Sequence, residues 1–439
     1  MQNLKRRVAR RLLFSMMVAT LIIVSAIYTP ISFGAQKVPT LRVVTANHPW
    51  TDAIKPLIPE FEKATGIKIN FESYEENQLT PKLTVEFTSG TSSIDVFMTR
   101  PLQEGRLFSR NKWYQPLDKY IDPKDTSWNF KDYPKSSVQA ATYNKKLYAV
   151  PLVTEWQVVF YRRDLFEGAK LNPPTTLDEL MAAAKALHNP SADMYGIVSR
   201  GQRAAAVTQF SSYLYAFGGD FIKKGRCVID SPQAIKAFRF YGKMLHDYGP
   251  PGVTNMSWPQ AQALFASGKV AMWTDASTLI AGLIAPDKSK VADKVGVAVF
   301  PAGPAGSHPF MVLPWAISMA AQSKYKGNAW TFIKWATSPE ITKKAQLAGN
   351  TMSRASVWSD AEVLAKIQPD LALSAKKTGP TATPYDRPLM TSVVEARDYI
   401  GDVIVKSIES GGTADIESLA KAAVVKVNEL LERAGEYRK

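Results

Sequence analysis

The sequence holds a single cysteine, Cys227, in 439 residues. No internal disulfide can form, so an exported chain of this kind must rely on its core. Four histidines (His48, His188, His246 and His308) are scattered without metal-ligand spacing, and with one cysteine they predict no metal site. A phosphate-binding loop, a dinucleotide Gly-x-Gly-x-x-Gly and a Gly-x-Ser-x-Gly elbow are all missing. No cofactor is implied and catalysis is not indicated. Only a carboxylate pair for glycoside hydrolysis stays open, because its spacing is spatial. Beyond the first residues there is no Lys/Arg run interleaved with aromatics, the footprint of a nucleic-acid binder. Internal repeats and low-complexity stretches are absent too.

What is there is a folded, globular composition. Hydrophobic residues make up 46%, with 10 Trp, 17 Tyr and 19 Phe, which excludes disorder. The length exceeds one ordinary core, so two lobes are expected. Lys5, Arg6, Arg7, Arg10 and Arg11 form a basic head, followed by the uncharged run Leu12 to Ile27 and by Ser32-Phe33-Gly34. This pattern predicts a secretory signal peptide over residues 1–34, cleaved after Gly34. An uncleaved membrane anchor is the competing reading, since the run approaches spanning length. Removing five basic and no acidic residues takes the formal charge from +15 to +10. The remaining lysines often stand beside acids, as in Glu60-Phe61-Glu62-Lys63, so a solvated surface fits better than a nucleic-acid partner.

Along the mature chain, Leu41 to Thr45, Ile67 to Phe71 and Ile94 to Met98 read as strands. Helices near 54–64 and 80–88 separate them, which predicts a doubly wound α/β unit. Ligands bind at the carboxyl ends of such strands. That rule gathers Asn47, His48, Glu76 and Thr99 at one edge. Further on, Thr176 to Glu179 is a capping box for helix 177–188, and Ser231-Pro232 starts another helix. Val270 to Trp273 reads as a strand ending at Thr274-Asp275.

The stretch Tyr143 to Phe166 is the pivot. Its apolar run carries Glu155, Trp156 and Gln157 in succession before Val158 to Tyr161. Such polar groups are unusual in a dry strand. We read a crossover between lobes that drops side chains into a cleft; a plain strand with a solvated Glu is the alternative. Elsewhere strand ends again pair aromatics with hydrogen-bonding groups: Arg200 with Gln202, Trp273 with Asp275, and Trp315. Arg354 completes the candidate set. Carboxylates and guanidinium groups hold adjacent hydroxyls while aromatic faces cover the C–H side of a polyol. Asp275 has a rival role as a helix cap.

The segments PEFEKATGIKINFESYEENQL, KLYAVPLVTEWQVVFYRRDLF, YGIVSRGQRAAAVTQFSSYLYAFGGDF, AMWTDAS and GNAWTFIKWATSPE resemble the extracellular solute-binding proteins of the maltose-binding-like family. Within it they look like the subgroup that serves ABC importers for sugars and sugar alcohols. The resemblance implies two α/β lobes joined by hinge crossovers, a solute gripped between them, and a membrane permease as partner. It adds weight to Glu155, Arg200 and Asp275. Ala204-Ala205-Ala206, His48 and Trp156 depart from the subgroup's pattern.

The resulting expectation is a periplasmic or otherwise extracytoplasmic binding protein without enzymatic activity, cofactor or metal, acting as a monomer. Its first lobe covers 36–151 and 312–352, its second 152–311 and 353–439. A binder of an anionic solute (a sugar phosphate, sulfonate or uronate) and a secreted glycoside-active enzyme are the other readings.

Overall fold

The computed structural model describes residues 39–91 and 93–438; the signal-peptide reading lies outside them. The strand Thr40–Ala46 (β1) keeps Leu41, Val43, Val44 and Ala46 fully buried. It pairs in parallel with Lys68–Tyr74 (β2) on one side and Val96–Thr99 (β3) on the other. The helix expected between β1 and β2 is broken into Pro49–Ile54, a 3-10 turn Lys55–Leu57, and Ile58–Thr65. Pro56 falls in the turn and Pro59 in the first turn of the last piece, where a missing donor costs least. The helix after β2 begins at Glu76, four residues earlier than expected, and runs to Thr88. That shift puts Glu76 in its first turn.

The pivot is a 14-residue strand, Ala149–Arg162 (β4). Tyr195–Val198 (β5), Val270–Ala276 (β6), Val295–Val299 (β7) and Met311–Met319 (β8) complete the large sheet. Its order is β2-β1-β3-β8-β4-β6-β5, with β7 also on β4. The first half of β4 pairs antiparallel with β8 and the second half with β6 and β7. In the second half of the chain only β5 and β6 run parallel, so the sheet is mixed there. The reason is that β4 enters from the other lobe against the local strand direction.

Two apolar cores sit on this sheet. One draws on residues 41–153 and 313–357, with Trp50, Phe61, Phe97 and Phe108. The other draws on 156–312 and 371–431, with Phe160, Phe210, Phe238, Tyr241 and Trp273. The fold is therefore α/β and bilobal, and β4 and β8 pass from one core to the other. Helix Arg203–Ala216 is buried on nearly every side from Ala206 onward, as its run of small and aromatic residues requires. Helices Val393–Glu409 and Ile416–Arg433 cover the second core. Among the described residues no helix is long and apolar enough to cross a membrane.

Candidate interlobe binding site

β1, β2 and β3 end on the same edge, and each hands over polar residues. His48 caps the helix Pro49–Ile54: its Nδ1 accepts the Trp50 N–H at 3.1 Å. With Nδ1 an acceptor, the ring proton belongs on Nε2. Nε2 stands 3.5 Å from Glu155 Oε1 and has no closer partner. The His48 ring also tilts against Trp315, with centroids 5.4 Å apart. Glu155 is buried, and this desolvation raises its pKa, against the pull of His48 and Arg200.

Arg100, directly after β3, is the hub on this side. Its Nη1 donates to Glu76 at 2.8 Å and its Nε to Glu104 at 3.1 Å, and it also reaches Thr80. Its guanidinium lies over the Trp315 ring, 5.2 Å from the centroid, a cation–π geometry. Thr99 backs this hub, with its hydroxyl 3.2 Å from Glu104 and 2.6 Å from Tyr114. Burial alone would raise the Glu76 pKa. Arg100, Arg200, Arg397 and Arg387 outweigh it and hold the group down to about 2.

The second lobe contributes Arg200, which follows β5, and Asp275 on β6. Arg200 Nε and Nη2 donate to the two Asp275 oxygens at 3.0 and 2.6 Å. This fork-to-fork geometry is the strong form of an ion pair. Asp275 Oδ1 also accepts from Gln209 Nε2 and from the Ala276 N–H, both at 2.7 Å. Burial works against the Arg200 charge, but Asp275, with Glu76 and Glu155 beyond it, keeps its pKa above the ordinary value.

Several expectations need correction. β6 continues to Ala276, so Asp275 lies inside the strand opposite Val158 and is fully buried, not hydrated at its end. It caps no helix: its oxygens are taken by Arg200, Gln209 and the adjacent N–H. Trp273 is a core residue packed on Phe160 and Phe265. Trp156 is also in the second core. Its indole N–H donates to Ser374 Oγ at 2.9 Å and its ring meets Trp358. Arg354 is fully buried and braces the 128–132 turn, donating to Thr337 O, Asn129 O, Trp128 O and Asp132. Its donors serve the fold. Asn47 stays exposed, donating to Glu75 Oε1 at 2.7 Å.

Sequence reasoning passed over Gln103 and Glu104 of one lobe and Arg387 and Arg397 of the other. Gln103 Oε1 accepts from Arg387 Nη1 at 2.7 Å and Arg397 Nη1 at 2.9 Å. Arg387 also forks onto Asp386. Glu104 anchors Arg100. The signal for Arg397 was present: it falls on the buried stripe Val393, Ala396, Ile400, Ile404 of its helix, where a charge is out of pattern. Gln157, two residues beyond Glu155 on the same strand, is fully buried with neither amide atom hydrogen-bonded. Buried groups of this kind normally have partners. An interlobe cavity of 570 Å³ is lined by Glu76, Arg100 and Gln103 from one lobe and by Gln202, Arg203, Trp258 and Arg397 from the other.

The family model for bacterial extracellular solute-binding proteins matches residues 47–343. A mannitol-binding protein of Pseudomonas aeruginosa is 31% identical over 70% of this chain and 71% of its own. An erythritol/L-threitol-binding protein of Mycolicibacterium smegmatis is 26% identical over 71% and 69%. The crystal structure of an ABC-transporter solute-binding protein from Agrobacterium radiobacter K84, in complex with ribitol, superposes with a TM-score of 0.82. It is 27% identical and covers 89% of this chain and 98% of that one. The chain belongs to the bacterial extracellular solute-binding proteins.

Proposed function

We propose that this protein is the solute-binding component of an ABC importer that captures a small polyhydroxylated solute, a sugar or sugar alcohol, between its lobes. One observation carries the reading. Charged and amide side chains from both lobes converge around a cavity in the 300–1,000 Å³ range usual for small ligands. The mannitol-, erythritol- and ribitol-binding relatives support the choice of polyol.

The lobes in this reading are 36–151 with 312–352 and 152–311 with 353–439, except that 353–357 pack with the first. The solute bridges them, and its higher affinity for the closed form shifts the open–closed equilibrium. Glu76, which lines the cavity, and the linked His48, Glu155, Arg200 and Trp315 form the site. Asp275 orients Arg200, and Thr99 orients Arg100 through Glu104. The solute leaves unchanged, handed to a membrane permease. The protein works as an extracytoplasmic monomer once residues 1–34 are removed. Intact mass of the exported form tests that removal: a retained leader would contradict it.

Thermal shift against a panel of sugars and polyols tests the ligand class. A solute at 100 times its Kd should add about 2.7 kcal/mol to stability and raise Tm visibly. A panel without a single shift would overturn the reading.

A further inference from the structure

Six arginines are buried among the described residues: Arg100, Arg162, Arg200, Arg354, Arg387 and Arg397. Five of them make an ion pair, with Glu76 and Glu104, Asp164, Asp275, Asp132 and Asp386 respectively. Arg397 makes none. It is 5% exposed, and its bonds go to neutral acceptors only. Nε and Nη2 donate to Ala204 O at 3.0 and 2.7 Å, Nη2 to Thr208 Oγ1 at 3.0 Å, and Nη1 to Gln103 Oε1 at 2.9 Å. Each terminal guanidinium nitrogen carries two hydrogens, so the Gln103 bond leaves one on Nη1.

A buried charge is costly unless an opposite charge compensates it. Here no carboxylate bonds to the charge, and Asp386 and Glu76 offset it only from a distance, at a place a ligand can reach, because Arg397 and Gln103 both line the interlobe cavity. The acceptor shared by Arg387 and Arg397 is a single neutral amide oxygen, where two guanidinium groups would favour a carboxylate or phosphate. Burial, with Arg387 close by, holds the Arg397 pKa down to about 9. The acids of the cavity do not fill the gap: Glu75 accepts from Asn47, Glu76 is engaged by Arg100, and Asp398 stands 3.9 Å from Arg203.

We propose that Arg397 is the anion subsite of the interlobe cavity, so that the natural solute is a polyhydroxy compound carrying one carboxylate or phosphate group. This rests on the carbohydrate reading above and narrows it. The solute's hydroxyls meet the carboxylates of the site, and its acid meets the guanidinium that has no carboxylate of its own.

The test is calorimetry on matched pairs at low salt: D-mannitol against D-mannonate, ribitol against D-ribonate, and D-ribose against D-ribose 5-phosphate. In at least one pair the charged member should bind about tenfold or more tighter. The carboxylate and phosphate arms identify which anion is preferred. The gap should shrink at high salt, vanish in Arg397→Gln, and persist in part in Arg397→Lys. Neutral members that bind as tightly as their charged partners would overturn the anion subsite and leave the carbohydrate reading standing. A preference that survives in Arg397→Gln would also overturn it. If Arg397→Gln fails to fold, the wild-type pairs and their salt dependence still decide. If no member of any pair binds, the carbohydrate reading falls and the subsite with it.

Discussion

Asp275 holds Arg200 by both oxygens and has no exposed surface. Its removal therefore strands a buried guanidinium, which typically costs about 3–5 kcal/mol. Urea unfolding of ligand-free Asp275→Ala should show a loss of that order, whereas a hydrated cleft carboxylate would leave the midpoint unchanged. Glu155 and Glu76 make opposite forecasts. Burial raises the Glu155 pKa above its ordinary 4.5, so the folded state binds that proton more tightly than the unfolded chain. Wild-type stability then falls as pH rises from 4.5 through the raised value, and Glu155→Gln should gain on wild type across that window. For Glu76, held down to about 2, the contribution is present above 4.5 and is lost as pH falls toward 2. Glu76→Gln should be less stable than wild type at neutral pH and converge with it in acid. Stability-against-pH curves with the two variants moving the same way would contradict these assignments.

At the scale of elements, much is legible in the sequence. The capping box Thr176–Glu179 and the Ser231 cap are both present, because each is a short-range pattern. The strands that lead into His48 and Arg200 were found for the same reason. The Arg200–Asp275 pair spans 75 residues and the Gln103–Arg397 bond 294, and no local signal specifies either. Trp156 and Trp273 misled because an indole at a strand's edge reads alike whether it faces a cleft or a core. Gly349 shows how tightly one turn is set. It has φ +95°, and a Cβ there would stand 2.7 Å from the Cβ of Ala281, which belongs to the other lobe. Gly349→Ala should cost about 1–3 kcal/mol through backbone strain and that contact. Chemical denaturation checks it, and a neutral substitution would show that the turn has room to move.

For the whole molecule, the bilobal architecture followed from length, and the crossover from the polar triplet Glu155-Trp156-Gln157. What length could not give is that one strand, β4, serves both cores, since its two halves pair with partners more than a hundred residues away. Two lobes sharing strands suit hinge closure, because bending at the shared segment moves two intact cores. The central claim is that one solute is held between those cores and released unchanged. Titration calorimetry with the solute that most raises Tm, followed by mass spectrometry of the recovered solute, tests it most directly. The account predicts one solute bound per chain and complete recovery of the same compound; several equivalent sites per chain, or a hydrolysed product, would contradict it.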